Sequence, residues 1–368
     1  MNNPGDHKTM EVVDLRRLKP PDEISPLRRK ILFPLLAPLS VIYTGAMRLW
    51  RAVPARPLDV NIPVVSIGSL SVGGTGKTPL CMLVARRLAD SGRRACVISR
   101  GYRRRQNHSP VVVSDGRQVL ATVEAAGDEP YMMAQRLRGI GVVVGADRAA
   151  AALRAKRRLN PDVLVLDDGF QCRSLVKHAE VVCLDWNSLS PGAAALPLGV
   201  LREGWSAVRL ADLIVVVLNP EDPEPRESDL ARLGPAKIFF AVRTRPAFLD
   251  GGWKPVGKEE LGSRRSLLIS GIARPEAFER GCEREGVNVV ASVRFEDHHW
   301  YGQSDVEKVM ALMERYACGH VVTTEKDFYK LPAELRNVAS TLRMDLALGD
   351  EAAFWGALDD LAGGYPCQ

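Results

Sequence analysis

A glycine-rich segment constrains the fold of this chain more than any other feature. Residues 71–78 read S-V-G-G-T-G-K-T and directly follow an apolar, β-branched run at 64–67. Between a strand and a helix, such glycines let backbone N–H groups point at phosphate oxygens, and the helix N-terminus adds partial positive charge. The segment therefore predicts a P-loop that binds a nucleoside triphosphate through Ser71, Val72, Gly73, Gly74, Thr75, Gly76, Lys77 and Thr78.

Two side chains of this loop have specific expected roles. Lys77 is expected to reach the β- and γ-phosphates, and Thr78 is expected to offer its hydroxyl to Mg²⁺. Ser71 stands where the generic G-x-x-x-x-G-K-[ST] pattern has its first glycine. The G-G-T-G-K-T core between strand and helix still favours a triphosphate site over a flexible turn.

The body of the chain alternates short β-branched runs with helical stretches, a pattern typical of a mostly parallel sheet. The predicted strands lie at 64–67, 95–99, 141–144, 163–166, 181–184 and 213–218, and the predicted helices at 77–90, 129–137 and 147–158. The tail predicts strands at 267–270, 287–293 and 320–323, with helices after Pro275 and from Ser304. The expected fold class is α/β, a P-loop NTPase-like sheet with flanking helices and a smaller C-terminal α/β domain.

The stretch 219–225 is acidic and proline-rich, and the stretch 246–258 is loop-like, so a domain boundary is predicted near 225–265. We expect a basic N-terminal tail at 1–30, a membrane-associated helix at 31–56, a P-loop nucleotide-binding core at 57–255, and a C-terminal domain at 256–368.

The N-terminus is both basic and apolar. Most of the net charge of +6 lies in residues 1–56, whereas the rest of the chain is nearly neutral, so nucleic-acid binding is not indicated. The uncharged run 31–47 is close to the lower length limit for crossing a bilayer, and it contains Pro34 and Pro38. Two interpretations remain open. In the first, the segment attaches to a membrane, either spanning it or lying in one leaflet; in the second, it is a core helix packed on the P-loop domain.

A second acidic motif is expected to complete the nucleotide site. Asp167 and Asp168 end the apolar run 163–166 and precede Gly169. In P-loop proteins an aspartate at such a strand end helps to hold Mg²⁺, although Asp-Asp-Gly is also a turn sequence. The seven cysteines form no C-x-x-C pair, which argues against a zinc site or a disulfide framework.

Six further motifs occur together with the P-loop and with the N-terminal L-x-x-L-S-x-x-Y segment. They are S-R-G-Y at 99–102, G-D-E-P at 127–130, D-D-G-F-Q at 167–171, L-R-E at 201–203, F-E-D-H-H at 295–299 and T-T-E-K-D at 323–327. In this order, from about residue 36 to about residue 331, they make the chain closely similar to the tetraacyldisaccharide 4'-kinases of lipid A biosynthesis.

The resemblance implies a kinase that uses ATP and Mg²⁺ and has two α/β domains with a cleft between them. The expected reaction transfers the γ-phosphate to the 4'-hydroxyl of an acylated glucosamine disaccharide 1-phosphate, giving lipid IVA. The expected location is the cytoplasmic face of the inner membrane, with membrane lipids as contacts and no nucleic acid or obligate protein partner.

The resemblance also assigns catalytic residues. Asp128 matches the family's catalytic aspartate and is the expected base, with Lys77 on the phosphates. His298 matches the histidine that pairs with this base, and Asp297 is expected to accept from its ring N–H. From the residues alone, Asp128 is also a candidate helix cap, His298 a candidate surface or core histidine, and His299 a candidate replacement for it.

The remaining family positions predict contacts around the substrate. Tyr102, Arg202 and Glu203 are expected near the substrate or the phosphates. Arg100 and 103–105 have two interpretations, an attractive surface for an anionic substrate and a solvated loop. Cys172 stands where the family has histidine, with Arg173 or His178 as candidate substitutes. No physical role is predicted for Glu325, Lys326 and Asp327.

The main alternative is a membrane-associated switch ATPase of the partition or septum-positioning type. Such proteins share the G-G-x-G-K-T loop but begin it with lysine, where this chain has Val72. A non-catalytic membrane scaffold is a third alternative, which the presence of Lys77, Thr78, Asp128 and His298 disfavours.

Overall fold

The structure is a computed structural model that describes residues 10–16, 26–105, 109–189, 193–223 and 225–363, without the side chains of 26–33 and 35. The described strands are β1 (Glu11–Asp14), β2 (Val64–Gly68), β3 (Ala95–Ser99), β4 (Val111–Asp115), β5 (Gly141–Val144), β6 (Val163–Asp167), β7 (Ala179–Asp185), β8 (Leu213–Leu218), β9 (Lys237–Arg243), β10 (Ala247–Leu249), β11 (Ser266–Ser270), β12 (Val289–Arg294), β13 (His320–Thr324), β14 (Ala339–Arg343) and β15 (Leu346–Leu348).

The described α-helices are α1 (Pro26–Ala52), α2 (Lys77–Asp90), α3 (Val123–Ala126), α4 (Asp128–Arg136), α5 (Arg148–Leu159), α6 (Glu227–Leu230), α7 (Lys258–Ser263), α8 (Pro275–Arg284), α9 (Gln303–Arg315), α10 (Glu325–Phe328), α11 (Ala333–Arg336) and α12 (Glu351–Ala362). Short 3₁₀ helices cover Trp186–Leu189, Trp205–Leu210 and Ala231–Leu233.

The described chain divides into two compact units. The nucleotide-binding unit contains residues 26–244 and 345–363, and the second unit contains residues 10–16 and Arg245–Met344. This division differs from the predicted domains at both ends of the chain. Residues 11–14 form a strand of the second unit rather than part of a separate tail, and the segment after Asp345 belongs to the nucleotide-binding unit rather than to a C-terminal domain 256–368.

The nucleotide-binding unit contains a sheet whose strands, among the described residues, lie in the order β15-β9-β8-β7-β2-β6-β3-β5-β4. The strands from β9 to β5 are parallel, and the two edge strands β15 and β4 are antiparallel to their neighbours. Every residue of β2, β6 and β7 is buried. Such continuously apolar strands are typical of a parallel sheet covered on both faces.

Helices cover the two faces of this sheet. On one face, Val65 and Ile67 of β2 share a hydrophobic core with Leu80 and Val84 of α2. On the other face, Val64 of β2 shares a core with residues of β6 and with Ala151, Ala152 and Ala155 of α5. Successive side chains of a strand point to opposite faces, so one apolar run of β2 serves both cores.

The second unit contains a smaller mixed sheet in the order β1-β12-β11-β13-β14-β10 among the described residues. The first five strands in this order are parallel, and β10 is antiparallel to β14. One hydrophobic cluster joins this sheet to α9 through Val306, Val309 and Met313. The α/β character predicted for the C-terminal region is confirmed.

In the part of the N-terminal helix α1 whose side chains the structure describes, one face packs on the nucleotide-binding unit. Ser40 is buried and donates its hydroxyl to the carbonyl of Ala195 at 2.8 Å, and Tyr43 packs against the core that contains Phe170. The side chains of Val41 and Ile42 are 73% and 67% exposed. In the described part of the chain, no helix combines the length and the apolar character required to cross a membrane, so the predicted anchor is not supported in its spanning form.

Most predicted elements of the parallel sheet are confirmed within one or two residues. The strands predicted at 95–99, 141–144 and 213–218 and the helix predicted at 77–90 have the bounds observed. The prediction missed the strands β1, β4, β9, β10, β14 and β15 and the helix α12. All six of these missed strands lie at or next to a sheet edge, where one exposed side weakens the apolar pattern.

Truncation of Phe354 tests whether the C-terminal helix is part of the nucleotide-binding unit. Phe354 of α12 is fully buried, and its ring meets Phe239 of β9 edge-on at 5.3 Å between centroids. We expect Phe354→Ala to lower the free energy of unfolding by about 3–5 kcal/mol, because it removes a large buried side chain. Urea denaturation measures this loss, with the half-exposed Met310→Ala in α9 as the control. An unchanged denaturation midpoint for Phe354→Ala would contradict the assignment.

Candidate active site

The phosphate-binding loop lies at the carboxyl end of β2, near the centre of the parallel sheet. Gly73 and Gly76 have φ values of 95° and 92°, which side-chain-bearing residues rarely adopt. A Cβ at Gly76 would also lie 3.1 Å from Cγ2 of Val217. Gly76 precedes the first turn of α2, so the N-terminus of this helix opens at the loop, as phosphate binding requires.

Neighbouring strands hold the loop in place. The amide of Val72 donates to the carbonyl of Val200 at 2.8 Å, so the residues before Arg202 lie beside the loop. The thiol of Cys183 donates to the carbonyl of Thr75 at 3.1 Å. The guanidinium of Arg243 donates to the carbonyl of Gly74 at 2.9 Å and pairs with Asp185 at 3.0 Å. These contacts fix the backbone of the loop.

Asp167 lies at the carboxyl end of β6, between two hydroxyl groups. Its Oδ1 is 3.5 Å from Oγ1 of Thr78, and its Oδ2 accepts from the hydroxyl of Ser99 at 3.0 Å. Burial raises the pKa of Asp167 to about 7, and the charges of Glu129 and Asp168 add to this effect. A cation beside this carboxylate would favour its ionised form.

The donor set fits Mg²⁺. The described residues contain no group of three or more histidine, cysteine or acidic side chains that could hold a metal ion. Magnesium commonly takes one or two protein oxygens and completes its shell with phosphates and water, so such a group is not required. Thr78 and Asp167 together supply one hydroxyl and one buried carboxylate, which suits a magnesium ion that also binds triphosphate.

Asp168 is held differently from Asp167, although the two are adjacent. Its backbone has a left-handed φ of 52°, and its carboxylate contacts Nη1 of Arg202 at 2.8 Å and Nζ of Lys77 at 3.5 Å. Burial opposes ionisation of Asp168, but Lys77 and Arg202 hold its pKa below the ordinary value. The structure therefore places Asp168 where it orients the P-loop lysine, beside Asp167 at the predicted metal site.

Arg148 is a charged residue of this site that the sequence analysis missed. It begins α5, is buried, and donates to the carbonyl of Gly145 at 3.1 Å. Burial lowers the pKa of Arg148, although the carboxylates of Asp167 and Asp168 act in the opposite direction. Its G-A-D-R context has no motif that would reveal an electrostatic interaction with Asp167 and Asp168, because these residues belong to a different element of the chain.

Asp128 is buried at the first position of α4. Its Oδ1 accepts from the amide of Glu129 at 3.0 Å, and Gly127, with φ of 88°, precedes it as the N-cap. An N-cap side chain ordinarily accepts from the second or third helical amide, so this contact is not a standard cap. The catalytic role predicted for Asp128 remains a proposal.

The two adjacent histidines of the second unit have different environments. His299 Nε2 is 2.9 Å from Oδ2 of Asp305, and its ring stacks on Phe295 at 4.8 Å. His298 has a left-handed φ of 63°, and its Nε2 lies 3.3 Å from Nζ of Lys326. These contacts give His299 a structural role and leave His298 as the catalytic candidate.

The predicted pairing of Asp297 with His298 is looser than a hydrogen bond. Oδ2 of Asp297 is 3.6 Å from Nε2 of His298, and Oδ1 is 3.6 Å from Nζ of Lys326. Lys326 therefore stands closer to the ring nitrogen than the predicted carboxylate partner does.

The T-T-E-K-D motif acquires a structural explanation here. Thr324 caps α10 by accepting from the amide of Asp327, and Asp327 accepts from the amide of Gly271 at 2.9 Å. Asp327 also pairs with the fully buried Lys330 at 3.0 Å. The motif thus fixes the loop after β11 and directs Lys326 to His298.

The predicted substrate residues lie in three different settings. Tyr102 is half exposed, and the guanidinium of Arg202 forms a hydrogen-bonded ion pair with Asp168. Glu203 is 2% exposed and accepts from Arg51 at 2.8 Å and from Gln171 at 2.9 Å. This burial does not support direct contact between Glu203 and the substrate. Among the loop arginines, Arg104 is buried and donates to the carbonyl of Ser109 at 3.1 Å, which supports a structural role.

The candidate substitutes for the histidine replaced by Cys172 are engaged in the fold. Arg173 donates to the carbonyls of Trp50 and Val53 at the end of α1. His178 Nδ1 accepts from the amide of Val64 at 3.0 Å. Cys172 itself contacts the hydroxyl of Ser174 at 3.4 Å.

A sequence model described as Tetraacyldisaccharide-1-P 4'-kinase matches residues 32–362 of the chain. The chain belongs to this family. The match spans both units, from α1 to the end of α12. The predicted family is thus confirmed, and the switch-ATPase alternative is not favoured.

Curated members of the tetraacyldisaccharide 4'-kinase family are similar to the chain over most of their length. The tetraacyldisaccharide 4'-kinase of Geobacter metallireducens is 37% identical over 326 residues, which cover 86% of this chain and 95% of that protein. The enzyme of the same name from Anaeromyxobacter sp. strain K is 42% identical over 303 residues, covering 80% of this chain and 79% of the relative.

A solved structure of the family has the same fold. The crystal structure of LpxK from Aquifex aeolicus in complex with ATP is 28% identical, with a TM-score of 0.73, and covers 91% of this chain and 99% of that chain. This likeness supports the mostly parallel α/β fold predicted from the sequence.

Removal of the Ser99 hydroxyl tests the arrangement of Asp167. Ser99→Ala removes the 3.0 Å hydrogen bond to Oδ2, so the carboxylate loses one of its two anchors. We expect the apparent affinity for Mg²⁺ to fall about 10- to 100-fold, as for other residues that orient a metal ligand. Titration of Mg²⁺ at fixed ATP by calorimetry measures this change, and the exposed Ser263→Ala is the matched control. Equal affinities for both variants would contradict the assigned role of Ser99.

Proposed function

We propose that this chain is a tetraacyldisaccharide 4'-kinase, which transfers the γ-phosphate of ATP to the 4'-hydroxyl of tetraacyldisaccharide 1-phosphate to give lipid IVA. The observation that carries the proposal is the family match over 32–362, within which a P-loop meets the carboxylates of Asp167 and Asp168. The curated relatives share this name, and the similar Aquifex protein was solved with ATP.

In the proposed mechanism, the P-loop amides and Lys77 hold the β- and γ-phosphates. Thr78 and Asp167 would hold Mg²⁺, which when bound would neutralise charge on the phosphate oxygens. Asp168 and Arg202 keep the ammonium of Lys77 in position, because the carboxylate contacts both cations. Phosphate transfer depends mainly on such positioning and on electrostatic stabilisation.

Asp128 is proposed as the base that accepts the proton of the sugar hydroxyl, and His298 is proposed as a second catalytic residue. A sugar hydroxyl is a poor nucleophile at neutral pH, so a positioned base assists its attack. Both roles come from the resemblance to the family. Nε2 of His298 lies 3.3 Å from Nζ of Lys326 and 3.6 Å from Oδ2 of Asp297, so the ring has both an ammonium and a carboxylate beside it.

We further propose that α1 attaches the protein peripherally to the cytoplasmic face of the inner membrane. The helix packs on the nucleotide-binding unit through Ser40 and Tyr43, and it exposes Leu39, Val41, Ile42 and Leu49 to solvent. A helix that exposes several large apolar side chains beside basic flanks suits the surface of an anionic bilayer.

The proposed reaction is tested with γ-labelled ATP and the acylated disaccharide 1-phosphate in detergent. We expect label in the lipid with the natural chain, a loss of about 10²- to 10⁴-fold with Asp128→Asn, and no transfer with Lys77→Ala. Calorimetry with Mg-ATP is the control, in which Asp128→Asn retains binding. Release of free phosphate without labelled lipid would favour the switch ATPase, and normal turnover by Asp128→Asn would exclude Asp128 as the base.

Membrane attachment is tested by sedimentation with vesicles that contain anionic lipid. The double substitution of Val41→Asp and Ile42→Asp places two charges on the exposed face of α1, so we expect at least a tenfold loss of vesicle binding. Met310→Asp, at an exposed apolar position of the second unit, is expected to leave binding unchanged. Undiminished binding of the double variant would remove α1 from the attachment surface.

A further inference from the structure

The end of α1 is connected to the nucleotide site by a chain of polar contacts. Arg51, in the last turn of α1, forms two hydrogen bonds of 2.8 Å with the two carboxylate oxygens of Glu203. The same guanidinium donates to the carbonyl of Phe170 at 3.2 Å and lies 4.8 Å from the centre of its ring. Arg51 thus makes a planar two-point contact that lysine cannot reproduce.

Glu203 is connected to the segment before the P-loop through Gln171. Its Oε1 also accepts from Nε2 of Gln171 at 2.9 Å, and the same amide nitrogen donates to the carbonyl of Ser69 at 3.1 Å. Ser69 lies two residues before Ser71, the first residue of the P-loop segment. The carboxylate is buried, so its charge requires the guanidinium of Arg51 for compensation.

Arg202 completes the connection. Nη1 of Arg202 lies 3.4 Å from Oε1 of Gln171 and 2.9 Å from Oδ1 of Asp168, whose carboxylate contacts Lys77. The amide of Arg202 also donates to the carbonyl of Leu70, beside the loop. Each contact in this series joins two residues of the nucleotide-binding unit.

We propose that Arg51 is a positioning residue for phosphate transfer, which acts through Glu203 and Gln171 on Arg202 and thereby on Asp168 and Lys77. This inference rests on the proposed function. It gives α1 a second role, because the helix that exposes Val41 and Ile42 also carries a residue that orders the site. It also gives the buried Glu203 a function that does not require contact with the substrate.

The chain offers a matched control at the same end of the helix. Arg173 donates to the carbonyls of Trp50 and Val53 and lies 4.8 Å from the centre of the Trp50 ring. Arg51 and Arg173 therefore both fasten the end of α1, but the contacts to Glu203 come from Arg51. If substitution acted by loosening the end of α1, replacing either arginine would lower the activity. If it acts through the proposed connection, only the replacement of Arg51 lowers the activity.

The test compares Arg51→Met with Arg173→Met in detergent micelles, where attachment to vesicles is not required. We expect kcat for labelled phosphate transfer to fall about 10- to 100-fold with Arg51→Met, and KM for the lipid acceptor to stay within about twofold. Arg173→Met is expected to keep the kcat of the natural chain. Thermal unfolding checks that each variant is folded, and Arg51→Lys, expected to lose less kcat, is used if Arg51→Met fails to fold.

A double-mutant cycle decides whether Arg51 acts through Glu203. We expect Arg51→Met combined with Glu203→Gln to lower kcat no further than the stronger single variant, because both substitutions break one connection. The inference would be overturned if the losses of kcat in the two single variants multiplied in the double variant, or if Arg173→Met lost as much kcat as Arg51→Met. It would also be overturned if only the acceptor KM changed, or if folded Arg51→Met or Arg51→Lys kept full kcat. Absence of labelled lipid with the natural chain would instead refute the proposed function.

Discussion

The candidate site depends on the parallel pairing of β3, β6 and β2. The carboxyl ends of these neighbouring strands lie at one edge of the sheet, so Ser99, Asp167 and the P-loop meet there. Backbone hydrogen bonds fix this register, and the apolar side chains that cover both faces of the strands hold it in place. A triphosphate site at such an edge follows from the general position of ligands in open α/β sheets.

The two carboxylates at the end of β6 illustrate how one dipeptide provides two electrostatic environments. Asp167 is buried between hydroxyl groups, and burial raises its pKa to about 7. Asp168 turns through a left-handed backbone conformation toward Lys77 and Arg202, which hold its pKa low. The different surroundings of the two adjacent carboxylates result from this change in backbone direction.

The polar contacts around Asp168 extend well beyond the phosphate-binding loop. Glu203 is buried against Arg51 at the end of α1, and Gln171 joins it to the strand end and to Arg202. A buried carboxylate is tolerated when cations and amide donors surround it, and both are present here. The N-terminal helix is consequently part of the structure around the site, in addition to carrying an exposed apolar face.

The sequence by itself determined the P-loop, the central strands and the family, because each is encoded in contiguous residues. The glycines of the loop, the apolar runs of β2, β6 and β8, and the acidic pair at 167–168 are local patterns with a direct physical meaning. Only the tertiary structure decided that Ser99 contacts Asp167, that Lys326 meets His298, and that Arg51 pairs with Glu203. It also decided that β1 belongs to the second unit and that α12 belongs to the nucleotide-binding unit, although most of each unit comes from another part of the chain. These contacts join residues far apart in sequence, and no local pattern records which distant side chain compensates a buried charge or covers an exposed edge.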